Sequence, residues 1–264
     1  MHPLLNIATR AARRAGDIIA RSVPRLESLQ ITSKGRNDYV SEVDHAAEAA
    51  IVEVIHRSYP DHAILAEERG AVGTHDMRWV IDPLDGTTNF LHGFPTYAVS
   101  IACENRGKAE IGVVYDVMRQ ELFTAERGGG AYLENHRMRV SKQRTLDGAL
   151  IATGIPFRVN ERHGDAYLEM LRAVMRVAAG VRRPGAAALD LAYVAAGRCD
   201  GFWEFGLHPW DTAAGALMIT EAGGRVATFR GESYAGGNNI VAGNPKVFLE
   251  LAAAIMPHLT DDMQ

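Results

Sequence analysis

In the stretch WVIDPLDGTTNF, Trp79 to Phe90, an apolar strand runs straight into two aspartates three residues apart, a glycine and two threonines. Acids and hydroxyls are costly to bury unless they find partners. A fold that accepts them at a strand end has to deliver them to a place where something binds them. Pro83 lacks an N–H and fixes φ, so the strand is expected to stop there. The turn can then aim Asp82 and Asp85 at one point, with the Leu84 carbonyl as a third oxygen. Gly86 allows a backbone to approach an anion closely, and Thr87 and Thr88 add hydroxyl and N–H donors. A helix starting here would offer its N-terminus to phosphate. Taken alone, D-P-x-D-G is also ordinary turn chemistry, and the segment by itself leaves both readings open.

Two further acidic sites stand out: Glu67-Glu68, and Asp211 in "PWDTAAG". Alone, the first reads as a solvated pair and the second as a helix cap. Together with Asp82 and Asp85 they form a set of carboxylates at the ends of neighbouring elements. Such a set repels itself unless cations or protons intervene. Hard oxygen donors of this kind suit Mg²⁺ or Mn²⁺. Zn²⁺ is disfavoured, because no Cys or His stands at ligand spacing in these segments. Metal ligands beside anion-binding donors are the parts a phosphoryl site needs.

The rest of the chain sets the frame. Its 264 residues are 47% hydrophobic, enough for a substantial core. A formal net charge of −4 gives no bulk-charge case for nucleic-acid binding. Cys103 and Cys199 sit in apolar or small-residue runs and read as reduced core residues. Arg10, Arg13 and Arg14 interrupt the N-terminal apolar residues, so no signal-peptide core forms there and a solvated helix face is expected instead. No apolar run approaches membrane-spanning length, which makes the cytoplasm the expected location.

Helical spacing appears from Leu4 to Ile19 and again from Glu42 to Ser58, which Pro60 stops. "AILAEE" and "RWVID" read as strands. Tyr97 to Cys103, Ile111 to Asp116, Glu121 to Ala125 and a hairpin through Ala131 to Val140 predict an antiparallel sheet. After Ser141 strands and helices alternate. "GALIAT", "GFWEF" and "NNIVAG" are the strands; Ala166–Ala178, Ala186–Ala196, Asp211–Ala222 and Pro245–Met256 are the helices. This predicts an α+β half over 1–142, carrying most of the acids, and an α/β half over 143–264.

Asp44, Glu67-Glu68, "DPLDGTTNF" and "PWDTAAGALMITEAGG" occur in that order, and together they closely resemble the inositol monophosphatase family. "NFLHGFPTYAVSIA" and "RRPGAAALDLAYVAAGRCDGFWEFGLHPWD" are similar to its bacterial branch. The resemblance covers essentially the whole chain. It implies a layered α-β-α-β-α sandwich of the sugar-phosphatase type, and a Mg²⁺-dependent, lithium-sensitive phosphatase. It further implies that Glu67, Asp82, Asp85, Asp211 and the Leu84 carbonyl ligate metal, and that Asp85, Gly86 and Thr87 hold phosphate. Asp44 and Thr87 would orient the attacking water, with Glu67 beside them. Glu204, seven residues before Asp211, would read an inositol ring together with the backbone from Gly185 to Ala187. Arg182 would also contact substrate, with its neighbour Arg183 as the alternative. Ala186 stands where many relatives carry Ser or Thr.

The resemblance implies a small phosphate ester as substrate and a homodimer as the assembly. Histidinol phosphate, fructose-1,6-bisphosphate and nucleotide 3'-phosphates are the alternatives on the same fold. Because bacterial relatives take part in RNA-polymerase antitermination complexes, it also raises a transcription-complex partner. His92 and His208 flank the motifs and read as structural or surface residues, since metal-activated water needs no imidazole. Trp210 is expected to pack beneath the site. "ERGGGAYLENHRMRV" lacks the Lys-Ser/Thr of a P-loop and reads as a hairpin turn.

Overall fold

The computed structural model describes residues 2–35, 38–155, 161–237, 239–260 and 263. In chain order the elements begin α1 (Pro3–Ser22), β1 (Ile31–Gly35), β2 (Asp38–Ser41), α2 (Glu42–Ser58), β3 (Ala63–Ala66), β4 (Gly70–Val72), β5 (Met77–Asp85) and α3 (Thr87–Leu91). Five strands follow: β6 (Ala98–Asn105), β7 (Lys108–Asp116), β8 (Glu121–Glu126), β9 (Gly130–Leu133) and β10 (His136–Arg137). The remainder is β11 (Leu150–Thr153), α4 (Glu161–Met175), β12 (Gly180–Arg182), α5 (Ala187–Ala195), β13 (Gly201–Phe205), α6 (Pro209–Glu221), β14 (Arg225–Ala227), β15 (Asn239–Gly243) and α7 (Pro245–Ile255).

Alternation along the strands builds the layers, because side chains two apart share a face. On β5, Trp79 and Ile81 pack under α1 and α2, while Val80 faces the opposite side. On β7, Ile111, Val113 and Tyr115 face α1, and Val114 faces α5 and α6. On β13, Phe202 joins the α5–α6 layer, while Trp203 and Phe205 join the outer core under α4 and α7. The result is a five-layer α-β-α-β-α sandwich. Its sheets run β10-β9-β8-β7-β6-β5-β3-β4 and β12-β11-β13-β15-β14. The large sheet is antiparallel except where β3 and β5 run parallel.

The central helices lie close to their neighbours because small residues let them. A Cβ on Gly112 of β7 would stand 2.9 Å from the Ala214 Cα of α6, and one on Gly215 would stand 2.4 Å from Leu191 Cβ of α5. The two sheet systems are also clasped at their flank. The Arg198 guanidinium forks onto Glu121 at 2.5 and 2.6 Å and lies over the Phe123 and Tyr193 rings.

Three expectations change. β5 does not stop at Pro83 but continues to Asp85 through a register shift against β6. By Pro83 it has outrun β3, whose last partner is Ile81, so the missing N–H costs no ladder bond on that side. The α1 arginines are not merely solvated: Arg14 pairs with Glu53 of α2 at 2.5 Å, and Arg13 lies over the Tyr115 ring. The first C-terminal acid helix starts at Pro209, so Asp211 falls in its first turn rather than at its start. Both cysteines are free and buried.

Candidate active site

Asp82 and Asp85 are three apart, and in a regular strand they would face opposite ways. The bulge removes that conflict: Asp82 aligns with Ser100 and Asp85 with Ala98, so three steps on β5 match two on β6. Both carboxylates reach the same region, and Asp211 joins them from α6. Oxygens of Asp82, Asp85 and Asp211 all lie within 4.8 Å of one another. The parallel register pairs Ala66 with Ile81, which brings Glu67 beside Asp82. The backbone N–H of the adjacent Glu68 donates to the Glu48 carboxylate at 2.9 Å.

Asp82 is buried, and its carboxyl is pushed well above the ordinary range. Burial is the main cause, followed by the charges of Glu67, Asp85 and Asp211. A site that holds its acids this close demands positive charge or protons. Its donors are all hard oxygens, and the arrangement fits a divalent cation such as Mg²⁺.

Asp44, Asp211 and Asp85 are each fixed at a helix N-terminus. Asp44 occupies the first turn of α2, where Oδ2 accepts the Ser41 N–H at 2.9 Å and the Ser41 hydroxyl at 2.6 Å. Its Oδ1 accepts the Thr87 hydroxyl at 3.0 Å. Asp44 is fully buried, and burial raises its pKa against the opposing hydrogen bonds from Ser41 and Thr87. Asp211 accepts the His208 N–H at 2.7 Å, closing the first turn of α6. Asp85 accepts the Ala188 N–H at 2.7 Å, capping α5 from the other sheet system. No side-chain cap comes from Ala186 itself. Three helix N-termini therefore point their positive ends at one acidic region.

The phosphate-binding candidates sit alongside. Gly86 adopts φ +93°, and a Cβ there would come within 2.9 Å of the Thr96 carbonyl. Only glycine meets both demands. Thr87 begins α3, whose first-turn N–H groups have no intrahelical acceptors. The Leu84 carbonyl accepts the Thr87 hydroxyl at 3.1 Å.

A cavity of about 500 Å³ opens over these residues. Asp85, Gly86, Thr87, Gly185, Ala187, Glu204 and Asp211 all line it. Arg182 does not, and its neighbour Arg183 does. Arg182 is the last residue of β12 and its guanidinium turns back onto the Val181 carbonyl at 3.2 Å, while Arg183 lies just past the strand end.

Sequence reading passed over Asn89 and Tyr39, both in the cavity wall. The Asn89 amide donates to the carbonyls of Thr96 at 2.7 Å and Pro184 at 2.8 Å. Its position within the motif was visible, but a partner 95 residues away was not. Of the flanking residues, His92 also lines the cavity. His92 Nδ1 lies 2.8 Å from the Thr88 carbonyl. His208 stacks on half-buried Trp210 at 4.7 Å, and the Trp210 carbonyl receives the Ser100 hydroxyl. The Gly128–Gly130 turn is held by Glu221, which accepts both N–H groups at 2.7 and 3.0 Å.

Known proteins share this fold and much of this sequence. The inositol monophosphatase family pattern matches residues 1–260. The Nus factor SuhB of Pseudomonas aeruginosa is 53% identical over 270 aligned residues, covering all of both chains. The solved SuhB extragenic suppressor protein of Bartonella henselae superposes with a TM-score of 0.93 at 46% identity, over 96% of this chain and 98% of that one. An inositol monophosphatase from Anabaena (Nostoc) superposes with a TM-score of 0.84 at 36% identity, over 96% and 95%. Full-length identity, shared fold and the motif order agree, and this chain belongs to the inositol monophosphatase family.

Proposed function

We propose that this protein is a Mg²⁺-dependent phosphomonoesterase acting on inositol-1-phosphate-like polyol phosphates. One observation carries the reading: Asp82, Asp85 and Asp211 converge within 4.8 Å at a cavity that Glu204 and Gly185–Ala187 also line. Glu67, Asp82, Asp85, Asp211 and the Leu84 carbonyl are the residues that would hold cations. Mg²⁺ bound there, or Mn²⁺ in its place, would polarise the phosphoryl group and acidify a water. Asp85, Gly86 and Thr87 would orient the phosphate. The Asp44 carboxylate receives the Thr87 hydroxyl proton in a hydrogen bond, which leaves the Thr87 oxygen to accept a proton from the attacking water. No covalent phosphoenzyme is required.

Glu204 would accept hydrogen bonds from ring hydroxyls, with Arg183 rather than Arg182 beside it. A carboxylate repels a second phosphate, which disfavours fructose-1,6-bisphosphate and nucleotide substrates. Histidinol phosphate is the nearer alternative. A panel of phosphate esters assayed at fixed Mg²⁺ tests the reading. Inositol-1-phosphate should be hydrolysed faster than the others, millimolar Li⁺ should inhibit, and absence of any Mg²⁺-dependent phosphate release would sink it.

A second reading is favoured by 53% identity, over the full length of both chains, to a protein named as a Nus factor. In it the chain, as a cytoplasmic homodimer, also joins a transcription antitermination complex. A pull-down with transcription factors, repeated with Asp82→Asn, separates the two roles. Binding that survives loss of turnover supports a role independent of catalysis. No helix among the described residues is long and apolar enough to cross a membrane.

A further inference from the structure

We infer that Gly154 sets the ring selectivity of this site by giving the Glu204 carboxylate the space that any other side chain would fill. The inference rests on the ring-reading role proposed for Glu204. β11 and β13 run parallel, with Thr153 aligned to Trp203. The next step along both strands brings Gly154 beside Glu204, on one face of the sheet. A Cβ built on Gly154 would lie 1.7 Å from Glu204 Oε1 and 2.0 Å from its Cδ. The carboxylate therefore occupies the volume of the missing side chain.

This glycine is not required by its backbone. Its φ lies outside the left-handed region, so alanine there brings no backbone strain. The nearest atoms belong to the far end of a flexible side chain, and the carboxylate is what would move. Toward α5 the space is already filled by the fully buried Asp190 side chain. The open direction is the cavity, between Ile155, Phe205 and Leu207. With glycine at this position the carboxylate lies back against the end of β11. The cavity then has room for a polyhydroxylated ring with an acceptor set at its wall. With a side chain here, the carboxylate would intrude on the ring and leave small unbranched or aryl esters less affected.

The test compares Gly154→Ala, Glu204→Gln, Glu204→Ala and Gly154→Ala/Glu204→Ala on inositol-1-phosphate and p-nitrophenyl phosphate. The measured quantity is the ratio of kcat/KM for the two substrates. Gly154→Ala should lower that ratio by about tenfold to a hundredfold, the scale of a lost charged hydrogen bond, with the change carried by KM for the ring substrate. In the Glu204→Ala background the added methyl should leave both the ratio and the melting temperature where Glu204→Ala alone puts them. That comparison holds even if Gly154→Ala alone folds poorly. A Gly154→Ala enzyme with wild-type discrimination, or a methyl equally damaging with and without the Glu204 side chain, overturns the inference. If Glu204→Gln discriminates and Gly154→Ala does not, the Gly154 inference falls alone. If Glu204→Gln does not discriminate either, the ring-reading role falls with it.

Discussion

Asp44 Oδ2 closes the first turn of α2 against Ser41, while Oδ1 receives the Thr87 hydroxyl. One carboxylate thus serves the fold and stands in the proposed relay. If the two residues act as a unit, Asp44→Asn and Thr87→Ala should each lower kcat by about 10²–10⁴-fold. The double variant should then cost little more than the worse single change. Additive losses in log kcat would separate the residues. Melting temperature distinguishes the cap from the relay, since losing the cap costs about 1 kcal/mol. Asp190 makes a different prediction. Burial, then the charges of Glu204 and Asp85, raises its pKa well above the ordinary carboxylate value. The folded state therefore keeps a proton that the unfolded chain releases. Its stability contribution is full below the unfolded pKa and is lost as pH rises through the folded one. Asp190→Asn, uncharged throughout, should melt close to wild type near pH 4 and above it at pH 8. A gap that shrinks with rising pH would contradict this.

The N-terminus of α5 shows how an element can be held by a neighbour it never meets in sequence. Ala186 offers no side-chain cap, and Asp85 supplies one across the sandwich at 2.7 Å. Ala186 has an extended backbone suited to a capping residue. Ala186→Ser should therefore add about 1 kcal/mol and raise Tm by about 2–4 °C, read by thermal denaturation. It should also restore a hydroxyl to the cavity wall that Ala186 lines. Elements with strong periodicity were legible in the sequence: α2, β5 to β8, α6 and α7 follow the apolar spacing that predicts them. The β1–β2 hairpin was not, because its β1 residues are largely exposed and show no buried face. Three-residue β4, β12 and β14 are too short to show a period. At the site, the acids announced themselves by chemistry. The bulge that aims Asp82 and Asp85 together did not, since it depends on pairing with Ser100 and Ala98. The choice of Arg183 over Arg182 was equally hidden, because it depends on where the three-residue β12 ends.

At the scale of the whole molecule, the acidic centre joins the two sheet systems. Asp82 and Asp85 come from the bulged end of β5, and Asp211 from the helix that follows β13. Asn89 and the Arg198–Glu121 fork tie the same two parts elsewhere. A cation shared by these carboxylates would bind only the assembled fold, so Mg²⁺ should raise Tm by mass action. At a hundredfold excess over Kd the gain is about 2.7 kcal/mol, and Asp211→Asn should remove most of it. Without Mg²⁺, Asp82→Asn should melt at or above wild type, since it removes a carboxyl whose charge is disfavoured first by burial and then by the neighbouring acids. The most direct test of the metal centre is phosphate release from inositol-1-phosphate across a Mg²⁺ titration, wild type against Asp82→Asn. Wild type should show saturable Mg²⁺-dependent turnover, and the folded variant should lose several orders of magnitude at every Mg²⁺ concentration. Turnover near wild type in Asp82→Asn at saturating Mg²⁺ would contradict the assignment of these carboxylates as the catalytic metal centre.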